Sequence, residues 1–141
     1  SLNNEIILVG LNLGAGDGIT VPLSNFHSKH GADYKLRYAL DGSKLWGSYM
    51  TDIIKDFPEV DSNKVKNFLL KNPDFIDHNI KLFEEEIEFI GSSNPKIYAF
   101  GGEAFNLVNK SLGHKYEIKK LIHYSHYISK ENYKSSVIKN I

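Results

Sequence analysis

The chain has 141 residues, of which 41% are hydrophobic and 24% charged, and these ordinary values exclude disordered and collagen-like chains. It contains no cysteine, which excludes disulfides, thiolate zinc sites and cysteine nucleophiles, and no apolar run approaches the ~18 residues of a membrane span. Seventeen acidic and seventeen basic residues cancel, but residues 52–90 hold ten acids and five lysines, whereas residues 110–141 hold seven lysines and two glutamates. We expect one domain over residues 1–141, with a cytoplasmic location and no membrane partner.

The first half of the chain is predicted to alternate strands with helices. Residues 5–11 form a short apolar run typical of a buried parallel strand. The Gly-, Asn- and Ser-rich residues 12–33 follow, and an irregular stretch of this length is usually functional. A short helix is predicted at 34–40, a second strand at 48–54, and a helix from Asp61 or Ser62 to residue 71.

The second half continues the alternation. Isoleucines and phenylalanines at steps of three and four predict an amphipathic helix over residues 76–90, ended by Gly91 and Pro95. Strands are predicted at 96–100 and 117–122, with helices at 103–112 and 130–141. This order predicts a three-layer α/β/α fold around a four-stranded, mostly parallel sheet.

Ligands of such sheets bind outside the carboxyl ends of the strands. The polar or glycine residues at or just past predicted strand ends are Asn12, Asp52, Gly101, Gly102 and His123. Four such positions, counting the two glycines as one, are more than packing requires. We therefore expect them to converge on one site.

Two short motifs stand at these ends. Residues 10–14 (GLNLG) lack the spacing of a dinucleotide or P-loop motif, and on their own they also fit a simple turn. Residues 123–127 (HYSHY) carry two histidines without a third ligand nearby, which makes a poor metal site. A neutral His123 could donate a hydrogen bond to an oxygen that gains charge, and Ser125 could bind a phosphate; the alternative is a surface loop.

Together with residues 49–55 (YMTDIIK) and 99–104 (AFGGEA), these motifs resemble those of the uracil-DNA glycosylase superfamily. The order and approximate spacing agree over residues 5–127, and the first motif is most similar to the single-strand-selective and mismatch-specific branches. The chain departs from the family at four positions: Leu13, Tyr124 and His126 replace prolines, and Asp52 replaces an asparagine that reads the base. We expect the domain over residues 1–141 to lack the helices usual at the family's N-terminus, and residues before residue 1 are expected to be missing from this sequence.

The resemblance implies hydrolysis of the N-glycosidic bond of a flipped base, without a metal or cofactor. It implies that Asn12 positions the water, that His123 stabilises the departing base, and that Phe26 stacks on that base. Phe26 is equally well read as a core aromatic beneath the loop.

The implied partner is DNA, as a single strand or a damaged duplex, bound by a monomer. Gly101, Gly102 and Ser125 would contact phosphates, and Lys119 and Lys120 would add salt-dependent affinity at the border of the site. The alternative for the basic tail is a solvated helix face.

Asp52 is expected to determine which base is accepted. An ionised carboxylate only accepts hydrogen bonds and repels uracil O4, whereas it suits the adjacent N–H donors of guanine. If burial keeps the acid protonated, it can donate to O4 instead. The remaining alternative is a structural role, as a turn cap or as a partner of Lys55.

Two other functions remain open. The chain could keep the fold with weak catalysis and act as a nucleic-acid or nucleotide-binding module. It could also be an unrelated α/β enzyme that uses Asp17, Asp52 and His123 on a small phosphorylated metabolite.

Overall fold

The structure is a computed structural model, and it describes residues 3–12, 33–55, 61–124 and 128–141. Within these ranges the chain forms four strands and five helices. The strands are β1 (Asn3–Asn12), β2 (Ser48–Ile54), β3 (Lys96–Phe100) and β4 (Ile118–Leu121). The helices are α1 (Asp33–Leu40), α2 (Ser62–Lys71), α3 (Pro73–Phe89), α4 (Gly102–Leu112) and α5 (Lys130–Asn140).

The four strands form one sheet in the order β2-β1-β3-β4, and every pairing is parallel. Helices cover both faces, so the predicted three-layer α/β/α class is confirmed and the sheet is parallel throughout. Each predicted element is present with small changes of bounds: β1 is longer than its apolar run, and β4 is shorter by one residue at each end.

Strand alternation divides the core between the two faces. Even-numbered residues of β1 and β3, such as Leu8 and Tyr98, pack with α1 and α5, whereas odd-numbered ones, such as Val9 and Ile97, pack with α2, α3 and α4. We call these two sides of the sheet the α1/α5 layer and the α2–α4 layer. The inner strands are therefore apolar on both faces, which is why they read as continuous hydrophobic runs.

Local signals set the helix boundaries. The Asp61 side chain accepts the Asn63 N–H at 2.9 Å and so caps the start of α2. Pro73 then separates α2 from α3, because proline favours the first turn of a new helix over the interior of an old one. No helix in the described ranges is long and apolar enough to cross a membrane.

Candidate functional site

The sheet has a topological switch point between β1 and β3. The chain leaves β1 for β2 on one side and then crosses to β3 on the other, so the strand order reverses between these two inner strands. Ligands of open α/β sheets bind outside the carboxyl ends of the strands at such a point. Asn12 is the last residue of β1 and Gly101 follows β3, so both backbones flank it. His123 lies two residues beyond β4 at the same edge.

Gly101 brings the end of β3 against the His123 segment. Its N–H donates to the carbonyl of Leu121 at 2.8 Å, and its φ of 86° and ψ of 163° lie in a region that only glycine occupies readily. A Cβ built on Gly101 would lie 3.7 Å from Cβ of His123. The structure therefore brings these two predicted site residues together, and Gly102 opens α4 beside them.

We expect Gly101→Ala to lower the free energy of unfolding by about 2 kcal/mol, because the added side chain is strained at this φ and ψ. Gly102→Ala is the matched control. A Cβ there has no neighbour within 4 Å, and alanine favours a helix, so the control should be neutral or slightly stabilising. Urea unfolding of both variants measures the difference, and equal stabilities would contradict this account of Gly101.

The His123 ring is held by aromatic neighbours. It stacks on Tyr124 with ring centroids 4.3 Å apart, and both rings meet Phe100 edge-on, at 6.3 Å and 5.4 Å respectively. Burial lowers the pKa of His123 below its ordinary value, because the charged imidazolium is poorly solvated there. The imidazole is therefore neutral at pH 7, and a neutral imidazole can donate one hydrogen bond without carrying a charge.

Tyr133 of α5 fixes the backbone next to His123. Its buried hydroxyl donates to the carbonyl of Ile122 at 2.8 Å, and burial raises its pKa, so the phenol stays protonated. Sequence reasoning missed this contact. The only signal was a tyrosine at a core-facing position of the last helix, four residues before Val137.

Asp52 lies on β2 with its Cα opposite Gly10 of β1, and its side chain is half-buried. Alternation from Met50 places it on the α1/α5 side of the sheet, where Gly10 presents no side chain beside it. β2 and β4 are separated by three strand spacings, or about 14 Å. Asp52 and the His123 segment thus lie near the same edge of the sheet, on either side of the inner strands β1 and β3.

A polar cluster anchors β2 to α3 along the length of the strand. The Glu86 carboxylate accepts hydrogen bonds from Tyr49 and Thr51, each at 2.8 Å, and contacts the Lys55 ammonium at 2.5 Å. The buried Asn79 side chain accepts the Lys55 N–H at 2.8 Å. Burial and the Glu86 hydrogen bond raise the pKa of Tyr49 to about 12.

Contacts in this cluster account for the structural role of three residues of the 49–55 motif. Tyr49, Thr51 and Lys55 hold β2 in place through Glu86, and the Lys55 ammonium also donates to the backbone carbonyl of Asp52 at 2.5 Å. The motif is therefore a support for Asp52. Glu86 was within reach of sequence analysis, because it stands three residues after Phe83 on the buried stripe of α3.

Several predicted site residues lie outside what the structure describes. They are Phe26, Ser125 and the side chain of Asn12. Lys119 and Lys120 lie in the middle of the edge strand β4, with Cα partners Tyr98 and Ala99. By strand alternation the two lysines point to opposite faces of the sheet, Lys119 half-buried and Lys120 exposed.

In the described part of the chain, no three histidine, aspartate or glutamate side chains are grouped as ligands for a metal ion. Comparison of the chain with protein-family models, with curated proteins and with solved structures finds no match in any of the three. The function is therefore inferred from the chemistry of the residues at this edge of the sheet.

Proposed function

We propose that the chain is a DNA glycosylase-type hydrolase, which cleaves the N-glycosidic bond of a base flipped out of a nucleic-acid strand. One observation carries the proposal: the residues of the two motifs, Asn12 and His123, come at the carboxyl edge of one parallel sheet and border its switch point. The four-motif resemblance independently assigns the same two residues to the reaction.

The proposed reaction mainly requires the protein to position a water molecule and a hydrogen-bond donor next to the base and its sugar. Asn12 would hold a water molecule below C1′ of the sugar. The electron pair of the C1′–N bond leaves with the base, the water oxygen takes its place on C1′, and a water proton passes to solvent or to the base. Neutral His123 would donate a hydrogen bond to the oxygen on which the base collects charge.

The environment of His123 supports this role. The stack on Tyr124 fixes the ring plane, and the Tyr133 hydroxyl fixes the preceding carbonyl, so the donor is preorganised without the prolines of the family motif. Gly101 and Gly102 would let a phosphate approach the backbone at the start of α4. Lys119 and Lys120 stay predicted contributors to phosphate affinity, and Phe26 and Ser125 stay predicted contacts of base and phosphate.

An excision panel tests the proposal. Labelled single strands and duplexes, each with one uracil, hypoxanthine, xanthine or other modified base, are incubated with the protein, then treated with alkali to cleave abasic sites. We expect strand cleavage for at least one modified base and none for the unmodified strand. If no base is excised but oligonucleotides bind with salt-dependent affinity, the glycosylase hypothesis is wrong. The chain is then better described as a nucleic-acid-binding module, which the altered motifs favour.

The metabolite enzyme predicts a different pattern, with no oligonucleotide binding at any salt concentration. Asp17, which that reading requires, lies outside the described residues. Asp52 and His123 lie near one edge of the sheet under either hypothesis, so the geometry of these residues does not distinguish a glycosylase from a metabolite enzyme. The binding titration does.

A further inference from the structure

The charge segregation of the sequence becomes a difference between the two faces of the sheet. Residues 33–44 and 130–141, which contain α1 and α5, carry six basic and three acidic residues. Residues 61–91, which contain α2 and α3, carry seven acidic and four basic residues. The α1/α5 layer therefore presents net positive charge to solvent, opposite a negative layer.

The basic layer carries a compact group of cations and aromatic rings, which we call the tyrosine–lysine cluster: Tyr34, Tyr38, Lys130 and Lys134. The ammonium groups of Lys130 and Lys134 each lie 4.9 Å from the ring centroid of Tyr38. Tyr34 and Tyr38 stand one turn apart on α1, with 53% and 39% of their surface exposed. Two cations and two accessible rings thus share one patch of surface.

Part of this arrangement has a structural explanation. The Lys134 ammonium lies 3.3 Å from the carbonyls of Tyr38 and Asp41, where it stabilises the negative end of α1. Among the described residues, the Lys130 ammonium makes no hydrogen bond to a backbone carbonyl. In the ranges that the structure covers, neither ammonium lies within 4 Å of a carboxylate, so both charges can act on an anion from solvent.

We propose that the tyrosine–lysine cluster binds a single-stranded nucleic acid, whose phosphates contact Lys130 and Lys134 and whose unpaired bases stack on Tyr34 and Tyr38. Lysines over an aromatic surface suit this ligand because every base has a face to stack and every nucleotide a phosphate. A duplex hides its base faces and would use only the charges. The identity of the polymer rests on the proposed function.

The position of the cluster connects it to the candidate site. α1 and α5 each follow a strand and run back from the carboxyl edge of the parallel sheet, so their first residues lie at that edge. Lys130 is the first residue of α5, and Tyr34 is the second of α1. A strand with one nucleotide at the switch point can therefore continue over the cluster.

The test is a binding titration with an unmodified single strand of about 16 nucleotides at several salt concentrations. The double variant Lys130→Gln with Lys134→Gln should flatten the slope of log affinity against log salt by about 1.4, since each phosphate contact to a single strand contributes about 0.7. The matched control is Lys71→Gln with Lys81→Gln, two exposed lysines on the acidic layer, which should leave the slope unchanged.

A third variant separates stacking from charge. Tyr34→Ala should weaken single-strand binding about tenfold with an unchanged salt slope, and it should leave duplex binding unaffected. An unchanged slope in the cluster double variant, or an equal change in the control, overturns the proposal. Unaltered affinity of Tyr34→Ala overturns the stacking part, and an RNA strand of the same sequence reports whether the sugar matters.

The outcome is independent of catalysis because the strand carries no modified base. If the slope flattens but no base is excised, the cluster stands and the glycosylase proposal fails. If a base is excised and the slope stays the same, the cluster fails and the glycosylase proposal stands.

Discussion

His123→Phe should lower the rate of base excision about 100- to 1000-fold, the usual cost of losing one donor to a developing oxyanion, about 3–4 kcal/mol. Phenylalanine keeps a ring to stack on Tyr124 and to meet Phe100, so the aromatic packing stays while the donor is lost. The measurement is single-turnover excision on the best substrate of the panel. Affinity for the unmodified strand should be unchanged.

His123→Gln is the matched control, because its amide can still donate a hydrogen bond. It should retain more activity than the phenylalanine variant even if its packing is poorer. A phenylalanine variant that excises as fast as the natural protein would show that His123 contributes only to packing.

The same residue makes a prediction about stability and pH. The folded pKa of His123 is lowered by burial, so below the ordinary pKa of histidine the unfolded chain takes up a proton that the folded chain does not. Its contribution to stability is therefore complete above that ordinary pKa and is lost as the pH falls, until the lowered folded pKa is passed. Thermal unfolding from pH 8 to pH 5 should show a smaller acid-induced loss for His123→Phe than for the natural protein.

The fold could be predicted from the sequence because each strand and helix has a local pattern of apolar residues. The apolar runs at β1 and β3 are continuous, since both faces of these inner strands are buried, and the three- and four-residue steps in α3 follow one buried stripe. Alternation of strands and helices then leaves few topologies, and a parallel sheet with helices on both faces is the simplest. The ends of the short strand β4 were less certain because four residues carry little periodicity.

The position of the candidate site at the carboxyl edge of the sheet could be predicted in the same way. The side-chain contacts that hold the site in place could not. Gly101 and His123 could be placed because parallel strands end at one edge. The Tyr49–Glu86 bond joins residues 37 apart in sequence, and it depends on how α3 is rotated against β2. The Tyr38–Lys134 contact spans 96 positions, because the sheet order brings α5 beside α1. A single sequence does not encode such rotations in any local pattern.

The contacts around Asp52 hold its backbone in place, so the effect of a substitution there can be attributed to the side chain. Lys55, Glu86 and Asn79 fix the backbone around it, and Gly10 leaves space on the side that it faces. A substitution of similar size at residue 52 should therefore alter the chemistry presented to a base and leave β2 where it is. Asparagine meets this condition.

Asp52→Asn should raise uracil excision at neutral pH at least about tenfold, which corresponds to about 1.4 kcal/mol of transition-state stabilisation. The ionised carboxylate repels uracil O4, whereas the asparagine amide donates to O4 and its carbonyl accepts from N3–H. The measurement is alkali cleavage of uracil-containing single strands with both proteins from pH 5 to pH 8.

Asp52→Leu separates loss of charge from gain of a donor. Leucine has nearly the same shape and neither repels nor donates, so it should excise uracil more slowly than the asparagine variant. If leucine and asparagine give equal gains, repulsion by the carboxylate explains the whole effect and residue 52 does not read the base. If the natural protein excises uracil well and evenly from pH 5 to pH 8 and asparagine slows it, this account of Asp52 is wrong, because the carboxylate would then have to favour uracil in its ionised form.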